Sequence, residues 1–150
     1  MDDKNIEEIP RSINNALGYN IYRVSLLIRR QLKNALSEYK LTPEQWQIMA
    51  SLWASSSYLN QKALVDITLK DKHTLSRIVQ RLERDGWVQK KEDNEDKRSY
   101  YVLPSKKSLK YKNIIPVKII EHFQPIFDIL TDIEKQVLSE YLNRIRNNLE

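Results

Sequence analysis

The stretch that decides the fold reads Asp71-Lys72-His73-Thr74-Leu75-Ser76-Arg77-Ile78-Val79-Gln80-Arg81-Leu82-Glu83-Arg84-Asp85-Gly86 and runs on through Trp87 to Pro104. Asp71 suits a helix N-cap, because its carboxylate can accept from an otherwise unpaired amide of the first turn, and Gly86 suits a terminator. Between them Leu75, Ile78, Val79 and Leu82 recur at steps of three and four, which predicts an amphipathic helix with one buried stripe. At about 100° per residue, the side opposite Leu75 and Leu82 holds His73, Arg77, Gln80 and Arg84, flanked by Thr74, Ser76 and Arg81. Next come Trp87-Val88-Gln89-Lys90-Lys91, a polar acidic turn over 92–97, and Arg98-Ser99-Tyr100-Tyr101-Val102-Leu103. Flanks rich in β-branched and aromatic residues around a turn-like middle predict a β-hairpin with a long loop, ended by Pro104.

Upstream, Thr42-Pro43-Glu44-Gln45 opens another helix: Thr42 caps, Pro43 fits the first position and Gln45 closes a capping box. That helix points Trp46, Met49, Ala50 and Trp53 inward and stops at Ser55-Ser56-Ser57. Tyr58-Leu59 reads as a short strand, and Asn60 caps a helix over about 60–68 that buries Ala63, Leu64 and Ile67. Still earlier, Ile13, Leu17, Ile21, Val24, Leu27, Ile28, Leu32, Ala35 and Leu36 make one long amphipathic helix, roughly 11–39. Downstream of the hairpin the helical pattern returns from Ser105, through Leu109, Ile114, Ile115, Ile119, Ile120 and Phe123, with Pro116 and Pro125 expected to kink or interrupt it. Thr131-Asp132-Ile133-Glu134 is a second capping box, opening a last helix with Ile133, Val137, Leu138, Tyr141, Leu142 and Ile145 on one face.

The expected fold is therefore mainly α with a small β wing: a winged helix-turn-helix over 41–104, between an N-terminal dimerisation helix in 1–40 and C-terminal dimerisation helices in 105–150. The terminal helices carry more apolar surface than the middle segment can cover, which points to a second copy of the chain. Packing of these helices on each other within one chain accounts for part of that surface.

Composition narrows the function. The chain has 150 residues, no Cys and two His, His73 and His122. This disfavours disulfides, thiol redox switching, a Cys nucleophile and a zinc site, so neither metal nor cofactor is expected. There is no Gly-rich phosphate loop and no Ser-centred nucleophile elbow, so an enzyme is not expected either. The start, Met1-Asp2-Asp3-Lys4-Asn5, is polar rather than signal-like, and no apolar run approaches the ~20 residues of a membrane span, so a cytoplasmic protein is expected. The net charge is +5, but its distribution matters more: residues 11–40 hold six bases against one acid, and 72–110 eleven against six.

A helix bearing Arg, Gln and His on its free face, followed at once by a basic hairpin, has the chemistry of a double-stranded DNA reader. Arg reads guanine edges, Gln reads adenine, and Ser or Thr holds phosphates. The expected DNA contacts are His73, Thr74, Ser76, Arg77, Gln80, Arg81, Arg84, Lys97 and Arg98. A projecting Arg98 can enter the minor groove, where the potential is most negative. Asp96 is expected to hold and orient it. A solvated polar face would explain the helix alone. The rival reading is a winged-helix module for protein or RNA contacts without operator specificity.

The residues Leu41-Thr42-Pro43-Glu44-Gln45-Trp46, the run from His73 to Gly86, and Asp96-Lys97-Arg98 resemble those of the MarR family of transcriptional regulators, over nearly the whole chain. The chain departs from the family pattern after the wing: Pro104-Ser105 stands where a Leu-Thr pair is usual, and Ser108 replaces a common Gly. The resemblance implies a homodimer built from the terminal helices, binding pseudo-palindromic operator DNA as a regulator, expected to be a repressor, that a small ligand often releases. Tyr22, Arg23, Trp46 and Tyr111 fall where the helical arms are expected to meet the reading head. They would suit a small aromatic or amphipathic ligand, with Arg23 on its carboxylate and the rings as apolar walls. Ordinary packing is a sufficient explanation for each of them.

Overall fold

The computed structural model describes residues 13–55 and 58–150; for residues 13–15 it describes the backbone alone. The acidic start of the chain, the first two residues of the expected N-terminal helix, and Ser56-Ser57 lie outside the described residues. Among the described residues the α-helices and β-strands follow in the order α1 (Ile13–Ala35), α2 (Pro43–Ser55), β1 (Leu59–Asn60), α3 (Gln61–Thr68), α4 (Lys72–Arg84), β2 (Val88–Glu92), β3 (Tyr100–Pro104), α5 (Ile115–Phe127) and α6 (Asp132–Leu149). Two compact units result, one ending at Lys110 and one spanning Tyr111–Glu150. The architecture is the expected one, mainly helical with a small β wing.

The caps are where the sequence puts them. The Thr42 amide donates to Gln45 Oε1 at 2.9 Å, and the Gln45 amide to Thr42 Oγ1 at 3.2 Å. The Ala63 amide donates to Asn60 Oδ1 at 2.8 Å, opening α3. Thr131 and Glu134 form the second capping box, at 2.7 and 3.2 Å. Gly86 has φ +80°, in the left-handed region where a side chain is strained, and the chain turns there from α4 into β2.

Several boundaries differ from the sequence reading. The first helix ends at Ala35, and a 3₁₀ turn, Ser37–Tyr39, follows, closed by Lys40 at φ 54°. In α2 the deeply buried residues include Ile48 and Leu52 beside Met49 and Trp53, while Trp46 and Ala50 are half-buried. Here the inward face is broader than the expected stripe, because α2 is covered by α3, α4 and the sheet. No α-helix starts at Ser105. A 3₁₀ turn, Ser108–Tyr111, comes first, and α5 begins at Ile115. Pro116 sits in the first turn of α5, where its missing amide costs nothing, and Pro125 lies in the last turn without ending the helix.

The core of the first unit joins Leu36 and Leu41, Ile48, Met49 and Leu52 of α2, Leu64 of α3, Leu75, Val79 and Leu82 of α4, and Val88 and Val102 of the sheet, all at most 4% exposed. Burying such side chains contributes about 1.5–3 kcal/mol each relative to exposure. The sheet order is β1-β3-β2, antiparallel throughout, with Lys90 opposite Val102 and Val88 opposite Pro104. The unusual hairpin exit is well accommodated: the Ser105 amide donates to the Trp87 carbonyl at 2.9 Å, and its Oγ to the Gly86 carbonyl at 2.6 Å. Ser108 is buried and bonded back to Ser105. Among the described residues, no helix is long and apolar enough to cross a membrane.

Candidate nucleic-acid interface

The helix α4 is anchored at both ends, which fixes the azimuth of its free face. At its start Asp71 accepts from the Thr74 amide at 2.9 Å and from the Thr74 hydroxyl at 2.7 Å. These bonds, the backbone one first, hold the Asp71 carboxyl below its ordinary value. On the inner side Leu75, Val79 and Leu82 are fully buried. His73, Arg77, Gln80, Arg81 and Arg84 are thereby left exposed, as expected from a 100° step.

Other members of the expected set are engaged within the protein. Thr74 and Ser76 are half-buried, and the Thr74 hydroxyl serves the cap. Arg84 grips its neighbour Asp85 with Nε at 2.9 Å and Nη2 at 3.3 Å. That hydrogen bonding raises the Arg84 pKa and lowers that of Asp85. Arg77 and Arg81 carry the other two exposed guanidinium groups of α4.

Asp93 and Asp96 of the wing turn are bonded to the wing's own backbone. Asp93 Oδ1 accepts from the Glu95 amide at 2.9 Å, and Asp96 Oδ1 from the Arg98 amide at 3.0 Å. The Ser99 amide closes on the Asp96 carbonyl at 2.9 Å, and the Asp93 amide on the Ser99 carbonyl at 3.2 Å. The charge of Asp93, desolvation and a hydrogen bond to Asp93 raise the Tyr101 hydroxyl pKa. Asp96, expected to hold and orient Arg98, meets it at its main chain. Two residues apart in a tight turn, the amide is reached without ordering a long arginine chain. Lys97 and Arg98 stand exposed at the tip, and the Lys90 ammonium lies 4.5 Å from the centre of the Tyr100 ring.

A side-chain contact joins reader and wing. Glu83, on the last turn of α4, accepts the Lys90 amide of β2 on its Oε2 at 3.1 Å. The sequence shows Glu83 only as an acid near the helix end. A bond from helix to strand across a glycine turn leaves no periodic signature.

Of the four expected effector residues, Trp46 lines a cleft of 410 Å³ between α1 and α2 with Arg29, Leu32, Pro43, Glu44, Gln47, Ala50 and Ser51. Its ring also stands edge-on to Trp53, 6.0 Å between centres. The cation in the cleft is Arg29, paired to Glu44 at 2.7 Å. Burial works to raise the Glu44 carboxyl, but the Arg29 hydrogen bond, a backbone bond and nearby Arg29 and Lys70 charges leave it below its ordinary value. Tyr22 and Arg23 are exposed on α1 and are not among the lining residues, and Tyr111 opens the second unit.

Residues 39–99 match the model of the MarR family. The HTH-type transcriptional regulator PecS of Dickeya dadantii is 27% identical over 129 residues, covering 85% of this chain and 78% of its own. Two solved structures share the fold. One, a mutant MarR from E. coli complexed with operator DNA, has a TM-score of 0.77 and 23% identity, covering 87% of this chain and 93% of its own. The other is an organohalide-sensing transcriptional regulator in its 2,4-dichlorophenol-bound form, with a TM-score of 0.81 and 24% identity over 91% of this chain and 81% of its own.

Proposed function

We propose that this chain, which belongs to the MarR family, is a repressor that binds pseudo-palindromic operator DNA sequence-specifically as a homodimer. The observation that carries this is the shared exposure of His73, Arg77, Gln80 and Arg81 on one side of α4, beside a wing tip that presents Lys97 and Arg98. The wing acids Asp93 and Asp96 are occupied by backbone amides, which reduces their cost beside phosphate. A helix bearing Arg and Gln suits the major groove, and a projecting arginine suits the negative potential of the adjacent minor groove. The operator-bound structure of a protein with this fold supports the reading.

The homodimer reading rests on apolar surface. No residue of α6 is buried, although Ile133, Val137, Leu138, Tyr141, Leu142 and Ile145 are all large and apolar. On α1, Leu17, Ile21, Val24 and Leu27 are 39–51% exposed. Surfaces of this kind on a folded chain mark a partner interface, and a two-fold dimer matches a palindromic site. The terminal segments 1–40 and 105–150 are the proposed dimerisation regions, with 41–104 as the DNA-binding domain.

Release by a small aromatic or amphipathic ligand is the proposed regulation. It is supported by the cleft at Trp46 and by the ligand-bound regulator of the same fold. Such a ligand must prefer one arrangement of the reading heads, since equal affinity for both would shift nothing.

Selection of tight-binding duplexes from a random-sequence pool tests the proposal. Inverted-repeat sites with half-site centres about one duplex turn apart, ~34–36 Å, are expected. A pool that stays unenriched, or a protein that is monomeric at micromolar concentration, contradicts it.

A further inference from the structure

Glu83 is an acid on a helix that otherwise offers cations to DNA, and the DNA-reading face does not use it. Its carboxylate is instead bonded across the turn at Gly86 to the Lys90 amide, at 3.1 Å. Lys90 belongs to β2, the outer strand of the order β1-β3-β2. On such a strand, alternate amides face away from the sheet and need a partner. Nearer the root, the Trp87 amide donates to the Leu82 carbonyl at 2.8 Å, the Gly86 amide to the Glu83 carbonyl at 3.0 Å, and the Ser105 hydroxyl to the Gly86 carbonyl at 2.6 Å. These bonds hold the root of the wing. The Glu83 side chain reaches further, three residues up the strand towards the tip.

From this geometry we infer that Glu83 is a positioning residue that sets the angle between α4 and the wing, so that Arg77 and Arg98 engage one DNA site together. The inference rests on the DNA-reading proposal and deepens it. The Ser105 hydroxyl on the Gly86 carbonyl and buried Val88 hold the hairpin at its root; a carboxylate bonded part-way along the strand restrains its pitch further out. Because a carboxylate accepts strongly from an amide, the bond survives at the exposed surface. Its effect on binding is preorganisation: the wing is already placed when the helix docks. A carboxylate with no such role would act on DNA only by repelling phosphate, and its removal would tighten binding. The two accounts therefore predict opposite signs.

The test uses the full chain with Glu83→Ala and Glu83→Gln, each alone and combined with Arg98→Ala, on a duplex selected by the wild-type protein. Glu83→Ala is expected to weaken binding about tenfold, the scale of one lost charge-assisted hydrogen bond. Glu83→Gln, whose amide oxygen still accepts, should stay within about threefold of wild type. In the Glu83→Ala background, Arg98→Ala should cost at most about a further twofold, because the wing is no longer held in place to be lost. Hydrogen exchange at the Lys90 amide reads the lock without DNA: it should accelerate in Glu83→Ala and not in Glu83→Gln. Unchanged Lys90 exchange in Glu83→Ala, tighter DNA binding by it, or Glu83→Ala and Arg98→Ala losses that simply multiply would each overturn the inference. A wild-type protein that selects no duplex refutes the DNA reading itself, while Lys90 exchange still reports separately on the lock.

Discussion

Asp96 receives the backbone amide of Arg98 on its Oδ1 at 3.0 Å, so the carboxylate shapes the wing turn through the main chain and leaves the guanidinium to project. This relationship separates two effects that an ion pair would merge. Asp96→Asn keeps an acceptor in the same place and should bind DNA nearly as the wild type does. Asp96→Ala opens the turn and should weaken binding, though less than Arg98→Ala, which removes the cation itself. Gel-shift titrations of the three variants check this order; an Arg98→Ala protein with unchanged operator affinity at physiological salt refutes the wing role.

Arg77 lies near the centre of the exposed side of α4, opposite Leu75 and Leu82, which are fully buried. Arg77→Ala is expected to cost ~1–3 kcal/mol of discrimination between the selected site and a site altered at one base pair. Equal losses on selected and random duplexes would make Arg77 a phosphate anchor only.

The cap at Asp71 gives the reader helix a pH dependence. Its carboxyl is held below the ordinary value by the Thr74 amide and hydroxyl. A depressed folded-state pKa means the cap's stabilisation is fully present above the unfolded value and fades as pH falls through the folded one. The melting temperature of Asp71→Ala should therefore lie below wild type at neutral pH, with the gap closing in strong acid. Asp71→Asn, which caps without titrating, should follow wild type at neutral pH and lose less on acidification. A gap that persists unchanged at the acid end contradicts this account.

If the cleft at Trp46 and Arg29 takes a ligand, millimolar aromatic acids should weaken binding to the selected duplex, and Trp46→Ala should blunt the response. Isothermal titration with the same acids provides the direct check. An unchanged DNA affinity across such a panel contradicts the proposed regulation.

Much of the fold was legible because its signals are local. The caps at Thr42, Asn60, Asp71 and Thr131 need only a polar side chain and the following turn, and each is formed as expected. The stripe of Leu75, Val79 and Leu82 needs only a period. Burial in α2 was less legible: Ile48 and Leu52 are enclosed by elements on several sides, a tertiary fact that periodicity does not encode. The start of α5 was misplaced because Leu109 fits a helical spacing, while Ser105 and Ser108 hold the chain in a tighter turn bonded back to Gly86 and Trp87. At the interface, the exposed face of α4 followed from its angle alone. The commitments of Arg84 to Asp85, Asp96 to the Arg98 amide and Glu83 to the Lys90 amide did not, since each depends on which partner a flexible side chain meets.

The most direct test of sequence-specific reading is the affinity of the purified protein for a selected duplex and for random duplex of equal length, each measured at two salt concentrations. The account predicts binding to the selected site ~10³-fold tighter or more, with both affinities falling as salt rises because phosphate contacts release counterions. Equal affinities for the two duplexes at both salt concentrations would contradict it.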